Sequence, residues 1–154
     1  MSALDVFRKF QHMLETGDFG AIPEVVDVDA YTENCVGMTG WTLGFDTALA
    51  NFQHGMLSTF SDLRTDESDV VDDGATLVVR MRVTATHSGK PFFGVPSSNK
   101  PVSFDAIDMY RLGEDGRIRW RFMLCDWNGV RLQLLGEVPD LPTTPSRIAV
   151  QAQS

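Results

Sequence analysis

The spacing of apolar residues has a helical period in the first part of the chain. Apolar positions in residues 2–16 recur every three or four residues, which predicts an amphipathic helix. Ser2 and Asp5 form a capping-box pair at its start. A short second helix is predicted within residues 19–26, and residues 45–60 repeat the helical spacing. The first third of the chain is therefore predicted to be mainly helical.

Beyond these helices the period changes to two. Residues 63–71 predict an edge strand, and the sequence Asp-Asp-Gly at 72–74 predicts a tight turn. Residues 77–87 alternate between apolar and polar side chains, as a long half-buried strand does, and 102–112 and 118–126 predict two further strands. Helices followed by a run of strands indicate an α+β protein, with helices packed on one face of a curved antiparallel sheet.

The remaining segments are less regular. Residues 31–36 predict a short strand, and residues 130–136 fit either a strand continuation or a helical turn. We expect one domain over residues 1–136, because the segment 137–154 contains three prolines and few apolar residues and reads as a tail.

Composition narrows the range of functions. The chain has 154 residues, 43% hydrophobic and 22% charged, as in ordinary soluble domains. A net charge of −8 argues against nucleic acid or an anionic membrane as a partner. No segment reads as a signal peptide or a membrane span, so a cytoplasmic protein is expected. The two cysteines, Cys35 and Cys125, lie far apart and make no metal-binding pattern.

The first candidate for chemistry is Asp126. It shares strand parity with Ile118, Trp120, Phe122 and Leu124, so it is predicted to point into an apolar interior. A buried carboxylate needs partners or takes a raised pKa, and both are features of acid/base sites. Two other roles are open: an ion pair with a nearby arginine, or a cap on the turn that follows.

His87 and Asp108 are two further candidates for the same inner face of the sheet. His87 ends the apolar row of the long strand, where a purely structural histidine is also common. Asp108 shares parity with Phe104 and Tyr110, but it could instead pair with Arg111. We predict that one of these two side chains orients Asp126 or the substrate.

A set of mostly aromatic or apolar side chains is predicted to line a pocket for a flat, apolar ligand. Packing in the core or at the rim is the alternative role for them. The predicted substrate-binding residues are Tyr31, Asn34, Trp41, Phe52, Met56, Phe93, Trp120 and Phe122.

Several kinds of chemistry have no motif in this chain. It has no glycine-rich phosphate loop, no nucleophile elbow and no metal-binding histidine cluster. We therefore expect no metal and no cofactor. Proton transfer in an apolar cavity, or simple binding of a small apolar molecule, is the chemistry that fits.

A series of short motifs resembles a known family over residues 5–136. The motifs are FSDL at 60–63, THSG at 86–89, GVP at 94–96, DMYRL at 108–112, DWNG at 126–129 and QLLG at 133–136. In order and spacing they resemble the SnoaL-like polyketide cyclases of the NTF2-like superfamily. The chain departs from the family pattern at Glu33 and Asn34, where a histidine is common, and at Arg119 and Arg121, where an acidic residue is usual.

The resemblance implies a cone-shaped α+β fold whose curved sheet wraps around helices and leaves an apolar cavity. It also implies a homodimer or a higher homo-oligomer. In the family's cyclases an Asp acts as acid/base in a cofactor-free intramolecular aldol closure of a polyketide ring, and Asp126 is the matching position. Two alternatives are a binding protein without catalysis and a related isomerase or hydroxylase.

Overall fold

Four helices, a π-helical turn and six strands make up residues 1–137, the part of the chain that this computed structural model describes. In chain order they are α1 (Ala3–Thr16), α2 (Ile22–Val25), β1 (Thr32–Cys35), β2 (Gly40–Leu43), α3 (Phe45–Phe52), the π-helical turn (Gln53–Leu57), β3 (Phe60–Asp72), β4 (Thr76–His87), β5 (Lys100–Leu112), β6 (Ile118–Cys125) and α4 (Trp127–Leu135). The predicted α+β class is confirmed. The predicted tail lies outside the described residues apart from Glu137. None of the helices in the described part is long and apolar enough to cross a membrane.

All six strands belong to one sheet in the order β2-β1-β6-β5-β4-β3. Neighbouring strands are antiparallel with one exception, because β1 runs parallel to β6. The prediction of an antiparallel sheet is therefore wrong at this pair. In the chain β1 comes before the meander β3–β6, and in the sheet it lies beside the last strand of that meander. The sheet is thus mixed, and β3 is an edge strand as predicted.

Helix α1 covers part of the inner face of the sheet. Ser2 and Asp5 form the predicted capping box, and Gly17 ends the helix in the left-handed conformation. Its Phe7 and Phe10 are buried and meet the Tyr110 ring edge-on, with ring centroids 5.5 and 6.3 Å apart. The amphipathic pattern of this helix therefore fixes it against the C-terminal part of β5.

Strands β4 and β5 present alternate residues to the interior, as their sequences predict. The inner positions of β4 from Leu77 to His87 are buried, and so are those of β5 from Val102 to Tyr110. Asp108 is one of these inner residues, whereas its neighbour Ile107 is 42% exposed on the outer face. The predicted orientation of Asp108 is confirmed.

A β-bulge in β6 reverses the predicted orientation of that strand. Ile118 lies opposite Leu112, but Trp120 lies opposite Arg111, so Arg119 is an extra residue on the β6 side. Ile118 is buried before the bulge. After the bulge, the inward positions belong to Arg121, Met123 and Cys125. The predicted inward row of Trp120, Phe122, Leu124 and Asp126 is therefore wrong. A one-residue slip moves every later side chain to the other face.

The end of β6 also differs from the simplest prediction. Residues 127–135 form α4, so the helical alternative for 130–136 is the correct one. Nearby, the loop between β4 and β5 is held against the end of the π-helical turn. The amides of Gly89 and Lys90 donate to the carbonyls of Thr59 and Ser58 at 3.0 and 2.9 Å. This loop closes one end of the core.

We expect Gly89→Ala to destabilise the protein by overpacking. A Cβ at Gly89 would overlap the backbone carbonyl of Ser58, and backbone cannot move aside as a flexible side chain can. The free energy of unfolding should fall by about 1–3 kcal/mol, as measured by urea denaturation. Gly55→Ala is the control, because a Cβ there meets nothing within 4 Å. Equal effects of the two substitutions would contradict this packing.

Candidate active site

A cavity of about 110 Å³ lies between the inner face of the sheet and helices α1 and α3. Most of its lining is apolar. Examples from the helices are Phe10, Leu14, Phe45, Leu49 and Phe52. Buried polar side chains from four different elements meet at one part of this cavity and bond to one another. We call Gln11, Tyr31, Glu33, Asp108, Tyr110 and Arg121 the polar cluster.

Asp108 is the centre of the polar cluster and is 1% exposed. Its Oδ2 atom accepts three hydrogen bonds, from the Tyr110 hydroxyl at 2.7 Å and from Nε and Nη2 of Arg121 at 2.8 and 2.6 Å. Its Oδ1 atom is buried and has no hydrogen-bond partner among the described residues. One oxygen is therefore held in place, and the other, on a residue that lines the cavity, lacks a partner in the described part of the chain.

Arg121 supplies the positive charge of the cluster. Besides Asp108 it faces Glu33, with Nη1 3.8 Å from Oε2, and its guanidinium lies 5.5 and 5.7 Å from the ring centroids of Phe10 and Tyr110. Burial alone would lower the pKa of Arg121, but the negative charge of Asp108, followed by the other acidic groups, raises that pKa well above its ordinary value. The side chain therefore stays charged inside the protein.

The two tyrosines hold the two acidic side chains in place. The Tyr31 hydroxyl donates to Glu33 Oε2 at 2.8 Å, as Tyr110 does to Asp108. Burial above all raises the pKa of both phenols well above the usual value, so both remain neutral hydrogen-bond donors. Gln11 donates to the Tyr110 oxygen at 3.3 Å, which directs the phenol proton toward Asp108.

Both cysteines line the same cavity as free thiols. Burial raises the pKa of Cys35 to about 11 and raises that of Cys125 further. A thiol of this kind carries almost no thiolate at neutral pH, and the thiolate is the nucleophilic form. The cysteines therefore contribute volume and polarisable surface.

Asp126 lies elsewhere than predicted. It is exposed, it is absent from the cavity lining, and it caps α4 by accepting the Gly129 amide at 2.9 Å. The predicted burial is wrong because the bulge at Arg119 shifts the strand's parity, and the capping alternative is confirmed. The catalytic role that the resemblance gives to Asp126 stays a prediction without a cavity contact to support it.

His87 is fully buried at the end of β4 but is not part of the cavity lining. Its Nε2 lies 2.8 Å from the Lys90 carbonyl, its ring packs 5.5 Å from Phe60, and its Nδ1 has no partner in the described residues. The side chain therefore ties the following loop to the sheet. The structure does not bring His87, Asp108 and Asp126 together as one site.

The predicted substrate-binding residues divide into two groups. Tyr31, Phe52 and Met56 line the cavity. The other five lie outside it: Asn34, Trp41, Trp120, Phe122 and Phe93. Phe93 is exposed in the loop after β4, whereas the other four are on the outer face of the sheet, where Asn34 lies opposite both Trp41 and Phe122. Strand parity explains their position, because Glu33 and Arg121 occupy the inward positions next to them.

Four members of the polar cluster are absent from the predicted site: Gln11, Glu33, Tyr110 and Arg121. The parity of Tyr110 predicts its inward position but no role at the site. Simple alternation along β6 predicts Arg121 on the solvent face, and no pattern marks Gln11, a polar residue of an amphipathic helix. Glu33 did carry a signal, since it sits between Tyr31 and Cys35 in a short strand where an isolated acid is unusual. A carboxylate two residues after a buried tyrosine could have been recognised as its hydrogen-bond partner.

Comparison with known families identifies the relationship. The family model described as SnoaL-like polyketide cyclase matches residues 4–134. The chain therefore belongs to the SnoaL-like polyketide cyclase family. This confirms the resemblance seen in the short motifs. A search of curated proteins found no match.

Solved structures agree with the family fold. A SnoaL-like polyketide cyclase from Agrobacterium tumefaciens is 21% identical, with a TM-score of 0.70 over 87% of this chain and 98% of that one. IdmH from Streptomyces antibioticus, a proposed polyketide cyclase, is 22% identical, with a TM-score of 0.72 over 88% and 99%. AclR from Streptomyces galilaeus, a proposed hydroxylase, is 18% identical, with a TM-score of 0.71 over 98% and 88%. At these identities the likeness concerns the fold.

We expect Arg121→Met to lower the free energy of unfolding by about 3–5 kcal/mol, because it leaves the Asp108 carboxylate buried without its counter-charge. Adding Asp108→Asn to this variant should recover part of the loss. Arg80→Met is the control, because both partners of the Arg80–Asp69 ion pair are more than half exposed. This substitution should lower the free energy of unfolding by less than about 1 kcal/mol. Similar small losses in the two single variants, measured by chemical denaturation, would contradict the buried ion pair.

Proposed function

We propose that this protein is a cofactor-free cyclase that closes the ring of a polyketide-like substrate by an intramolecular aldol reaction. The observation that carries this proposal is the buried, unpartnered Oδ1 of Asp108 at an apolar cavity. Leaving such an atom without a partner costs about 1–3 kcal/mol, so it calls for an explanation. A ligand that brings a proton or a donor group to Oδ1 provides one.

Asp108 acts as the general base in this mechanism. Its Oδ1 removes a proton from the carbon next to a substrate carbonyl, and the Arg121 guanidinium stabilises the enolate oxygen that develops beside it. The enolate carbon then attacks a second carbonyl of the same molecule. In this proposal Asp108 takes the role that the family resemblance gives to Asp126.

The apolar walls hold the chain of the substrate in a folded, reacting geometry. The cavity of about 110 Å³ is smaller than the roughly 300–1,000 Å³ of pockets that enclose drug-sized ligands. A polycyclic substrate therefore inserts its reacting end, and the lining must adapt to the rest. Met38 and Met56 are suited to this, since unbranched thioether side chains change rotamer easily.

A binding protein without catalysis is the second candidate. The ion pair favours it, because Oδ2 of Asp108 accepts three hydrogen bonds. An Asp bonded in this way can serve only to satisfy the buried charge of Arg121, without any catalytic role. In that case the cavity would hold a small apolar molecule whose hydroxyl or amide donates to Oδ1. Turnover and binding measurements separate the two candidates.

We expect Asp108→Asn to lower the rate of ring closure of an aromatic polyketide ester by at least about 100-fold, because it removes the base and keeps the side-chain size. Asp126→Asn is the matched comparison and should keep the wild-type rate, since asparagine caps helices as well as aspartate does. The rate of product formation is measured by chromatography for each of a panel of aromatic polyketide esters.

The opposite pattern, with a slow Asp126→Asn variant and a normal Asp108→Asn variant, would return the catalytic role to Asp126. Tight binding of an ester by calorimetry without turnover by the wild type would favour the binding protein.

We also propose that the protein is a homodimer that pairs through the outer face of its sheet. We define the outer patch as Trp41, Leu43, Ile107, Met109, Trp120, Phe122 and Leu124. Leu43, Trp41 and Leu124 are 75%, 62% and 48% exposed. Trp120 stacks on Phe122 with ring centroids 6.3 Å apart, and Trp41 lies 6.2 Å from Trp120. Contiguous aromatic and aliphatic surface of this kind is typical of an interface.

A second copy of the chain suits the outer patch because of the charges. Two molecules of net charge −8 repel each other, so an interface between them needs a region free of acidic groups. The outward positions from Trp120 to Leu124 and from Ile107 to Met109 are uncharged. A twofold axis through this patch would bury the same residues on both subunits.

We expect Leu124→Glu to convert a wild-type dimer to a monomer in sedimentation velocity, because it places a carboxylate from each subunit in an apolar interface. Val71→Glu is the control, since Val71 is 65% exposed on the opposite edge strand and should leave the dimer intact. A monomeric wild type, or a dimeric Leu124→Glu variant, would rule out this interface.

A further inference from the structure

A second buried acid faces the same cavity and has no part in the mechanism so far. Glu33 lies on the inward side of β1 and lines the cavity, with its side chain 10% exposed. Like Asp108 it accepts a hydrogen bond from a buried tyrosine hydroxyl and faces Arg121. The polar cluster therefore contains two carboxyl groups on either side of one guanidinium.

The two acids differ in how closely they contact that guanidinium. Asp108 receives two N–H bonds from Arg121, at 2.8 and 2.6 Å. Nη1 of Arg121 lies 3.8 Å from Glu33, which is beyond hydrogen-bond distance. The one positive charge is thus directed at Asp108, and Glu33 lies outside hydrogen-bond reach of it.

Ring closure by aldol addition needs a donor as well as a base. The acceptor carbonyl becomes an alkoxide as the new bond forms, and a nearby acid must protonate it. Asp108 is occupied at that moment with the proton it has just removed. Two acids with different surroundings in one site are a common way to divide these roles.

We infer that Glu33 is the catalytic proton donor of the ring closure and Asp108 its partner base, an assignment that rests on the proposed function. Oδ1 of Asp108 takes the proton from carbon, and the electron pair of that C–H bond forms the enolate. The enolate carbon bonds to the acceptor carbonyl carbon, whose C=O π electrons move to oxygen. The carboxyl proton of Glu33 is transferred to that oxygen.

The proton balance closes without an oxidant, a reductant or a cofactor. After one turnover Asp108 carries the proton and Glu33 is ionised. Transfer of one proton from Asp108 to Glu33, through water after product leaves, restores the starting state. Arg121 lies between the two groups, with Nη2 bonded to Asp108 and Nη1 3.8 Å from Glu33, so its charge acts on either carboxylate.

The test separates the two half-reactions with an aromatic polyketide ester that carries two ketones, incubated in D₂O. Deuterium exchange at the carbon next to the ketone needs only the base, whereas ring closure needs the base and the donor. Glu33→Gln keeps the size of the side chain and can still accept the Tyr31 hydrogen bond. We expect it to retain the enzymatic exchange rate and to lose ring closure by at least about 100-fold. Asp108→Asn should lose both.

Two results would overturn the role of Glu33: wild-type ring closure by Glu33→Gln, or a parallel loss of exchange and closure, which would indicate a structural effect. Glu33→Asp keeps a donor and should recover closure in part, so it serves as a second variant if Glu33→Gln fails to fold. An Asp108→Asn variant that keeps both deuterium exchange and ring closure would instead refute the proposed function, independently of Glu33.

Discussion

A guanidinium buried among aromatic rings must be matched by negative charge and hydrogen bonds, and that requirement organises the interior of this protein. Arg121 has Asp108 at hydrogen-bond distance on one side and Glu33 further away on the other. Each carboxyl group is held in turn by a tyrosine hydroxyl. Strands β1, β5 and β6 and helix α1 therefore meet at one charged group, although the walls around it are apolar.

This arrangement depends on a single extra residue in β6. The bulge at Arg119 turns Arg121 inward and sends Trp120 and Phe122 to the outer face. One irregularity thus has two consequences: the cavity gains its cation, and the outer face gains an aromatic patch. Bulges beside active sites commonly redirect side chains in this way. The same residue links the proposed chemistry of the cavity with the proposed pairing of two subunits.

Much of the fold could be predicted from local pattern. The capped helix α1, the Asp-Asp-Gly turn and the alternation along β4 and β5 each follow from short-range rules, and so does the inward position of Asp108. The candidate site could not be predicted as a whole. No local signal marks the bulge, so simple alternation along β6 placed Asp126 inside and Arg121 outside. The parallel pairing of β1 with β6 is a long-range contact that no local pattern predicts. This pairing places Glu33 opposite Arg121.

Proton NMR of the wild-type protein can establish whether Arg121 points inward. We expect a slowly exchanging Arg121 Nε–H proton with nuclear Overhauser effects to the rings of Phe10 and Tyr110, because the guanidinium carbon lies 5.5 and 5.7 Å from their centroids. Nuclear Overhauser effects from the Trp120 indole to those two rings, with a rapidly exchanging Arg121, would contradict it. That result would restore the regular alternation of β6 and place Asp126 in the cavity.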